Sequence, residues 1–364
     1  MSTFMRASGS AVVIATLLAA CGGRVVVDAQ GTGAGGATNE PTTTSSTGAS
    51  SSTTASSSAS SSGVSSSSVS SSSSASSSGA VEGLVELALL NSPYAVAVDA
   101  EYAYVSEGWG GRVVKIPKTG GAPIKLGEMS NPAFLALDDN RVYVTASLPS
   151  GSQVVAVPKA GGTATAISEL DEVCSGLATD ATRVYCSGYN KAAIRALDKT
   201  SVSGTSLCST PNVPRGVFVD GDFIYWGAEE GATVGRVPKG GGAPTILAKS
   251  MELGGWNVAV DATHVYWSGM TGNGITVKSI PKAGGGTPTV IATEPTPGIV
   301  TVAVDDEHIY WANGNAGTVS AIPKGGGPVT VIGKNQGNVY SIAADNSAVY
   351  WVSNTTERLM RFTW

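Results

Sequence analysis

Three kinds of residue in this chain could do chemistry. Pro-Lys-x-Gly-Gly occurs at Pro117-Lys118, Pro158-Lys159, Pro238-Lys239, Pro281-Lys282 and Pro323-Lys324, and a glycine-rich stretch with a lysine is the raw material of a phosphate cradle. The only histidines are His264 and His308, each able in principle to act as a metal ligand or a general base. Cys174, Cys186 and Cys208 could cross-link or bind metal. A phosphate cradle needs one such loop feeding a helix N-terminus, whereas this unit recurs between strand-like segments. Its glycines are therefore read as supplying the positive φ of a tight turn. The two histidines each stand three residues after an Asp in neighbouring repeats. Equivalent places point alike from separate repeats, which suits neither a shared metal nor a base and nucleophile pair. G-x-S-x-G, H-E-x-x-H and Walker motifs are missing. The expectation is a protein that is not an enzyme and uses no metal or cofactor.

The elements that must position these residues are set by a repeat. Asp, four residues, then Tyr comes back as Asp99/Tyr104, Asp138/Tyr143, Asp180/Tyr185, Asp220/Tyr225, Asp261/Tyr266, Asp305/Tyr310 and Asp345/Tyr350, with Asp-to-Asp steps of 39, 42, 40, 41, 44 and 40 residues. A period near 40 built from strand-like units is the mark of a β-propeller. In the fifth copy, Trp256 to Val260 alternates up to Asp261, and His264 to Trp267 alternates again, as in a tight hairpin. The Asp side chain can accept from backbone amides two residues on and so close the turn. The position after Tyr is Trp226, Trp267, Trp311 or Trp351 in four copies, where large flat side chains suit a blade interface. Third and fourth strands follow at Ile275 to Ile280 and Thr289 to Ala292, giving four per blade. The lysines, with Lys199 in the third copy, are expected on the face of the Asp turns and paired with them.

The last copy supplies only three strands, ending at Leu359 to Trp364, while Gly83 to Leu90 reads like an unclaimed fourth strand. Pairing the two removes an open edge. The expected fold is an all-β, seven-bladed propeller of four-stranded blades over residues 81–364, its last blade closed by an N-terminal outer strand. The repeats resemble the YWTD propellers of lipoprotein-receptor ectodomains, through Ala259-Val260-Asp261 and Val265 to Gly269, and more loosely the NHL and streptogramin-lyase-like bacterial propellers. The resemblance covers about residues 83 to 364, without the Asp that ends the YWTD motif. It implies the architecture. Streptogramin-lyase-like chemistry would need a His aimed into the central ligand site, and neither histidine occupies such a loop.

Residues 1–20 carry Arg6 and an apolar run from Ala11 to Ala20, the layout of a secretory signal and too short for a membrane span of about 20 residues. Leu18-Ala19-Ala20-Cys21 resembles the lipobox of bacterial lipoproteins, which implies acylation of Cys21 and a membrane anchor. Two or three acyl chains hold stably where one does not. Gly22 in place of Asp favours the outer membrane of a bacterial envelope. Residues 21–80 are mostly Ser, Thr, Gly and Ala with no apolar period, a disordered tether. A formal charge of −5 argues against nucleic acid, and a monomer is expected. In an exported protein one bridge and one free thiol is the natural count for three cysteines. Cys174 with Cys208 is the pair expected, since both fall near the same end of their strands.

Recognition should lie in what does not repeat. The loops between second and third strands hold Glu107, Trp109, Tyr189, Glu229, Asn273, Asn313 and Asn315, and the connections between blades hold Tyr94, Phe134, Arg215, Trp256 and Tyr340. Loops on a rigid scaffold are where binding concentrates. Trp109 and Trp256 lie off the repeated Trp column, and aromatic-plus-amide surfaces suit a protein, peptide or glycan partner. The expected function is a surface-tethered binding or scaffold module, with a propeller lyase or hydrolase, or a purely structural role, as alternatives.

Overall fold

Each repeat folds as an up-and-down meander because its turn residues close hairpins and its β-branched and aromatic residues alternate across a half-buried pleat. A computed structural model describes residues 81–364, apart from 150, 211, 230–232, 250–252 and 299. The signal, Cys21 and the Ser-rich tether lie outside the described residues. The described residues form seven four-stranded antiparallel sheets. The innermost strands of neighbouring sheets pack side by side around the ring, with Pro93–Val98 of the first blade against Val339–Asp345 of the seventh.

The seventh sheet is the composite one. Leu84–Leu89 pairs antiparallel with Arg358–Phe362, placing Leu84 opposite Phe362 and Leu89 opposite Arg358. The ring therefore closes by hydrogen bonding between the two ends of the described chain, leaving no unpaired third strand in that blade.

The core is a set of seams. In the seam of the seventh and first blades, Val96 and Val98 pack with Ala343, Tyr350 and Val352, and in that of the fourth and fifth, Tyr225 packs with Val258 and Trp267. The repeated Trp226, Trp267, Trp311 and Trp351 are 0–1% exposed. Inner strands make room for the repeated Tyr with a small residue directly opposite. Ala97 faces Tyr104, Ala259 faces Tyr266 and Ala343 faces Tyr350, whereas the fourth blade uses Phe218 opposite Tyr225. Gly235 does the same for Trp226: a Cβ there would lie 2.4 Å from the indole.

In a four-stranded meander the first and third turns share one end of the strands, and the second turn shares the other with the blade-to-blade connection. The Pro-Lys-x-Gly-Gly units are third turns. Gly120 and Gly121 have φ of 88° and 137°, the Gly120 amide donates to the Pro117 carbonyl at 2.8 Å, and the Lys118 amide donates to Glu101 in the neighbouring first turn at 3.0 Å. These glycines close turns, and the lysines they carry join the Asp turns beside them.

Candidate functional site

The face of the first and third turns is stapled from blade to blade. In the second repeat, Oδ1 of Asp138 accepts from the amides of Asn140 and Arg141 at 3.0 and 2.8 Å, and Oδ2 accepts from the Tyr143 hydroxyl at 2.7 Å. The same Oδ2 then receives the lysine of the following blade. Lys159 reaches Asp99, Lys199 Asp138, Lys239 Asp180 and Lys324 Asp261 at 2.7–3.0 Å, and Lys282 and Lys118 pair with Asp220 and Asp345. Several of these lysines also lie over the ring of the tyrosine they join, Lys199 at 4.9 Å from Tyr143. At the remaining seam Trp364 takes the lysine's place: its indole donates to the Tyr310 hydroxyl at 3.0 Å and stacks on His308 at 4.3 Å.

Electrostatics follow from this packing. Burial pushes the Asp138 carboxyl up, but Lys199, Tyr143 and the turn amides outweigh it and hold the group below the usual carboxylate range. Asp99, Asp180, Asp261 and Asp345 are lowered in the same way. Burial and the adjacent carboxylate raise Tyr104, Tyr143, Tyr185, Tyr266 and Tyr350, the last to about 12. His308 Nδ1 lies 3.9 Å from Asp305 on its own turn, and His264 contacts the Thr263 hydroxyl. Both histidines belong to this stapled face, and no group of three or more metal-ligating side chains occurs among the described residues.

The opposite face carries the second turns and the connections, and there the inner strands lose their regularity. Five of the seven have a register shift where they enter the ring, between Pro93/Ala95, Cys174/Leu177, Pro214/Val217, Gly254/Val258 and Val339/Ser341. Such bulges re-aim the side chains within them. Tyr94, at one bulge, meets Phe134 edge-on at 5.4 Å and Tyr340, at another, at 5.8 Å. Arg215, at a third, lies 4.3 Å over the Tyr189 ring and pairs with Glu229. The connections thus bring two clusters to the inner rim, one aromatic and one charged.

The other residues expected here divide sharply. Glu107 is wholly buried, accepting from the Asn91 amide at 2.7 Å and pairing with Arg112. Asn313 is also wholly buried and donates to Glu294 and to the Thr296 carbonyl at 3.2 and 2.9 Å. Neither presents its side chain to solvent, which corrects the expectation that they contact a ligand. Each ends a second strand that is buried on both faces of its pleat up to its last residue. Asn315 holds the Pro297 carbonyl at 3.0 Å and Asn273 sits on an exposed turn. Trp256 lies in the inner strand Leu253–Val260, its side chain outside the described residues. Trp109 is 89% exposed. It borders an open groove of about 600 Å³ that it shares with Gly110, Gly111, Glu128, Ser130 and Asn131. The last three were not singled out in the sequence, because they lie at the end of the outer strand Ile124–Glu128 and on the connection after it, which only folding brings beside the Trp109 loop.

The cysteine pairing is also corrected. Cys174 is bridged to Cys186, Cα to Cα 5.7 Å, and Cys208 is a buried free thiol. The strands Cys174–Thr179 and Arg183–Gly188 are direct neighbours, whereas Cys208 lies on the outermost strand of that blade. Three strand spacings, roughly 14 Å, exceed what a disulfide spans. Burial raises the Cys208 thiol.

No protein-family model matches this chain, and no curated protein matches it. Solved structures do. Streptogramin B lyase superposes with a TM-score of 0.63 at 11% identity, covering 76% of this chain and 96% of that one. YCF48 bound to D1 peptide gives 0.58 at 12% identity over 77% and 94%. The nidogen/laminin complex gives 0.51 at 18% identity over 64% and 94%. At these identities the likeness is one of fold, shared by a protein named as an enzyme and by propellers solved with a protein or peptide partner.

Proposed function

We propose that the chain is an exported, lipid-tethered binding module. In this reading acylated Cys21 anchors it to a bacterial envelope membrane, the Ser-rich residues 21–80 act as a leash, and the face of second turns and connections engages an envelope or extracellular partner. The observation that carries the reading is Trp109. The four Trp residues of the repeat are 0–1% exposed, yet this one, off the repeat, is 89% exposed beside a groove. Exposing an indole costs the burial of a large apolar side chain, about 1.5–3 kcal/mol, with no structural return visible. The stapled face, by contrast, uses its repeated carboxylates and lysines on one another. Nidogen/laminin and YCF48 with its peptide support protein or peptide capture as a use of this fold.

A photo-crosslinking residue placed at position 109 or at position 346 of the full chain, in intact cells, tests the assignment, since exposed Asn346 lies on the stapled face. Position 109 is expected to give a discrete adduct and position 346 none. Equal labelling from both, or none from 109, overturns the assignment. Cys21→Ser is expected to move the protein out of the membrane fraction.

A further inference from the structure

The groove beside Trp109 has a composition that narrows what can fill it. Its two sides are tied by a backbone hydrogen bond from the Met129 amide to the Gly111 carbonyl at 2.8 Å. Gly110 has no room for a side chain, because a Cβ would come within 3.0 Å of the Asn91 carbonyl oxygen, and Gly111 has a φ of 65°. The indole therefore stands next to bare backbone, accessible as a flat plate. The groove is also lined by Glu128, Ser130 and Asn131, which carry a carboxylate, a hydroxyl and an amide, and by Met129. Glu128 gives Oε1 to Lys125 at 2.7 Å, and its side chain is 71% exposed. Local charge cancels, since Lys125 pairs with Glu128 and Arg112 with Glu107.

Resting on the reading of this face as a recognition surface, we propose that the groove binds a neutral oligosaccharide. The Trp109 indole stacks on the apolar face of a pyranose ring, and Glu128 and Asn131 exchange hydrogen bonds with its hydroxyls. The alternatives fit less well. A charged ligand would meet no net opposite charge. An apolar helix needs a hydrophobic groove, and a polyproline segment docks between several aromatic side chains, whereas Trp109 is the one aromatic residue here. A sugar presents both an apolar ring face and paired hydroxyls, matching one aromatic plate flanked by a carboxylate and an amide. No covalent step is involved.

Saturation-transfer NMR and calorimetry on the full chain in a sugar-free detergent, with cellotetraose, maltotetraose and chitotetraose as probes, test the proposal. At least one tetrasaccharide is expected to bind. Trp109→Ala should weaken it about tenfold or more, Trp109→Phe should stay within about threefold of wild type, and Glu128→Gln should weaken it about two- to fivefold. An unchanged melting temperature for each variant separates loss of contact from loss of fold. Failure of all three sugars to bind, unaltered binding by Trp109→Ala, or binding of an octaproline peptide in their place overturns the proposal. If the sugars fail while position 109 still crosslinks to a protein, the recognition face stands and its ligand is a polypeptide.

Discussion

At the scale of single residues, a turn Asp such as Asp138 does two jobs with two oxygens. One closes its own hairpin through backbone amides, and the other joins its blade to the next through tyrosine and lysine. The capping oxygen was legible in the sequence, because Asp followed closely by a strand is a local signal. The second job was legible only as a shared face, since no local pattern says which blade's lysine arrives. Linkage gives the pH behaviour a definite sign. Asp99, Asp138, Asp180, Asp261 and Asp345 all titrate below the reference 3.8. A depressed carboxyl contributes stability that is fully present above its unfolded value and is lost as pH falls through the folded one. The ring should therefore hold its stability down to about pH 5 and lose it progressively below pH 4. Lys199→Met should cost about 0.5–1 kcal/mol at pH 7, read from the urea midpoint. That difference should shrink as pH falls through the folded-state value of Asp138, where the carboxylate that Lys199 pairs with is neutralised. A difference that persists undiminished down to acid unfolding would show that Lys199 acts through packing alone.

At the scale of elements, four strands per blade and seven blades were readable because one period carries turn chemistry, alternation and aromatic spacing together. The pairing of Leu84–Leu89 with Arg358–Phe362 was readable too, from a strand missing at one end and spare at the other. What failed to show in the sequence was contact between elements with no repeated partner. Cys174 and Cys208 lie in one blade but on its first and fourth strands, and Glu128 comes beside the Trp109 loop from the end of the outer strand Ile124–Glu128. The repeat also tolerates exchange only where neighbours compensate. Gly235 sits under Trp226, so Gly235→Ala should cost about 1–3 kcal/mol by overpacking. Gly240→Ala, at a position where a Cβ would meet nothing within 4 Å, should leave the unfolding midpoint unchanged. Equal effects from the two would mean that the indole moves aside without loss, and the tight fit would not be what maintains the seam.

At the scale of the whole ring, stability depends on closure, because each blade buries its faces only against two neighbours. Six seams carry a lysine on the carboxylate of the preceding blade. The seventh, between the sixth and seventh blades, has Asp305 bonded to Tyr310 at 2.6 Å and Trp364 in the lysine's position. This seam flanks the blade assembled from both ends of the described chain, so weakening it loosens the composite sheet as well. Stacking on His308 is worth about 0.5–1.5 kcal/mol and the indole hydrogen bond about 1 kcal/mol. Trp364→Ala should then lower the melting temperature by about 3–5 °C. Trp364→Lys supplies the group found at the other six seams, aimed at the same Asp and Tyr, and should recover at least half of that loss. If Trp364→Ala melts with wild type, the seam is held by strand pairing alone. If Trp364→Lys is no better than Trp364→Ala, the seventh seam is built on stacking against His308, and the carboxylate of Asp305 serves only its own turn.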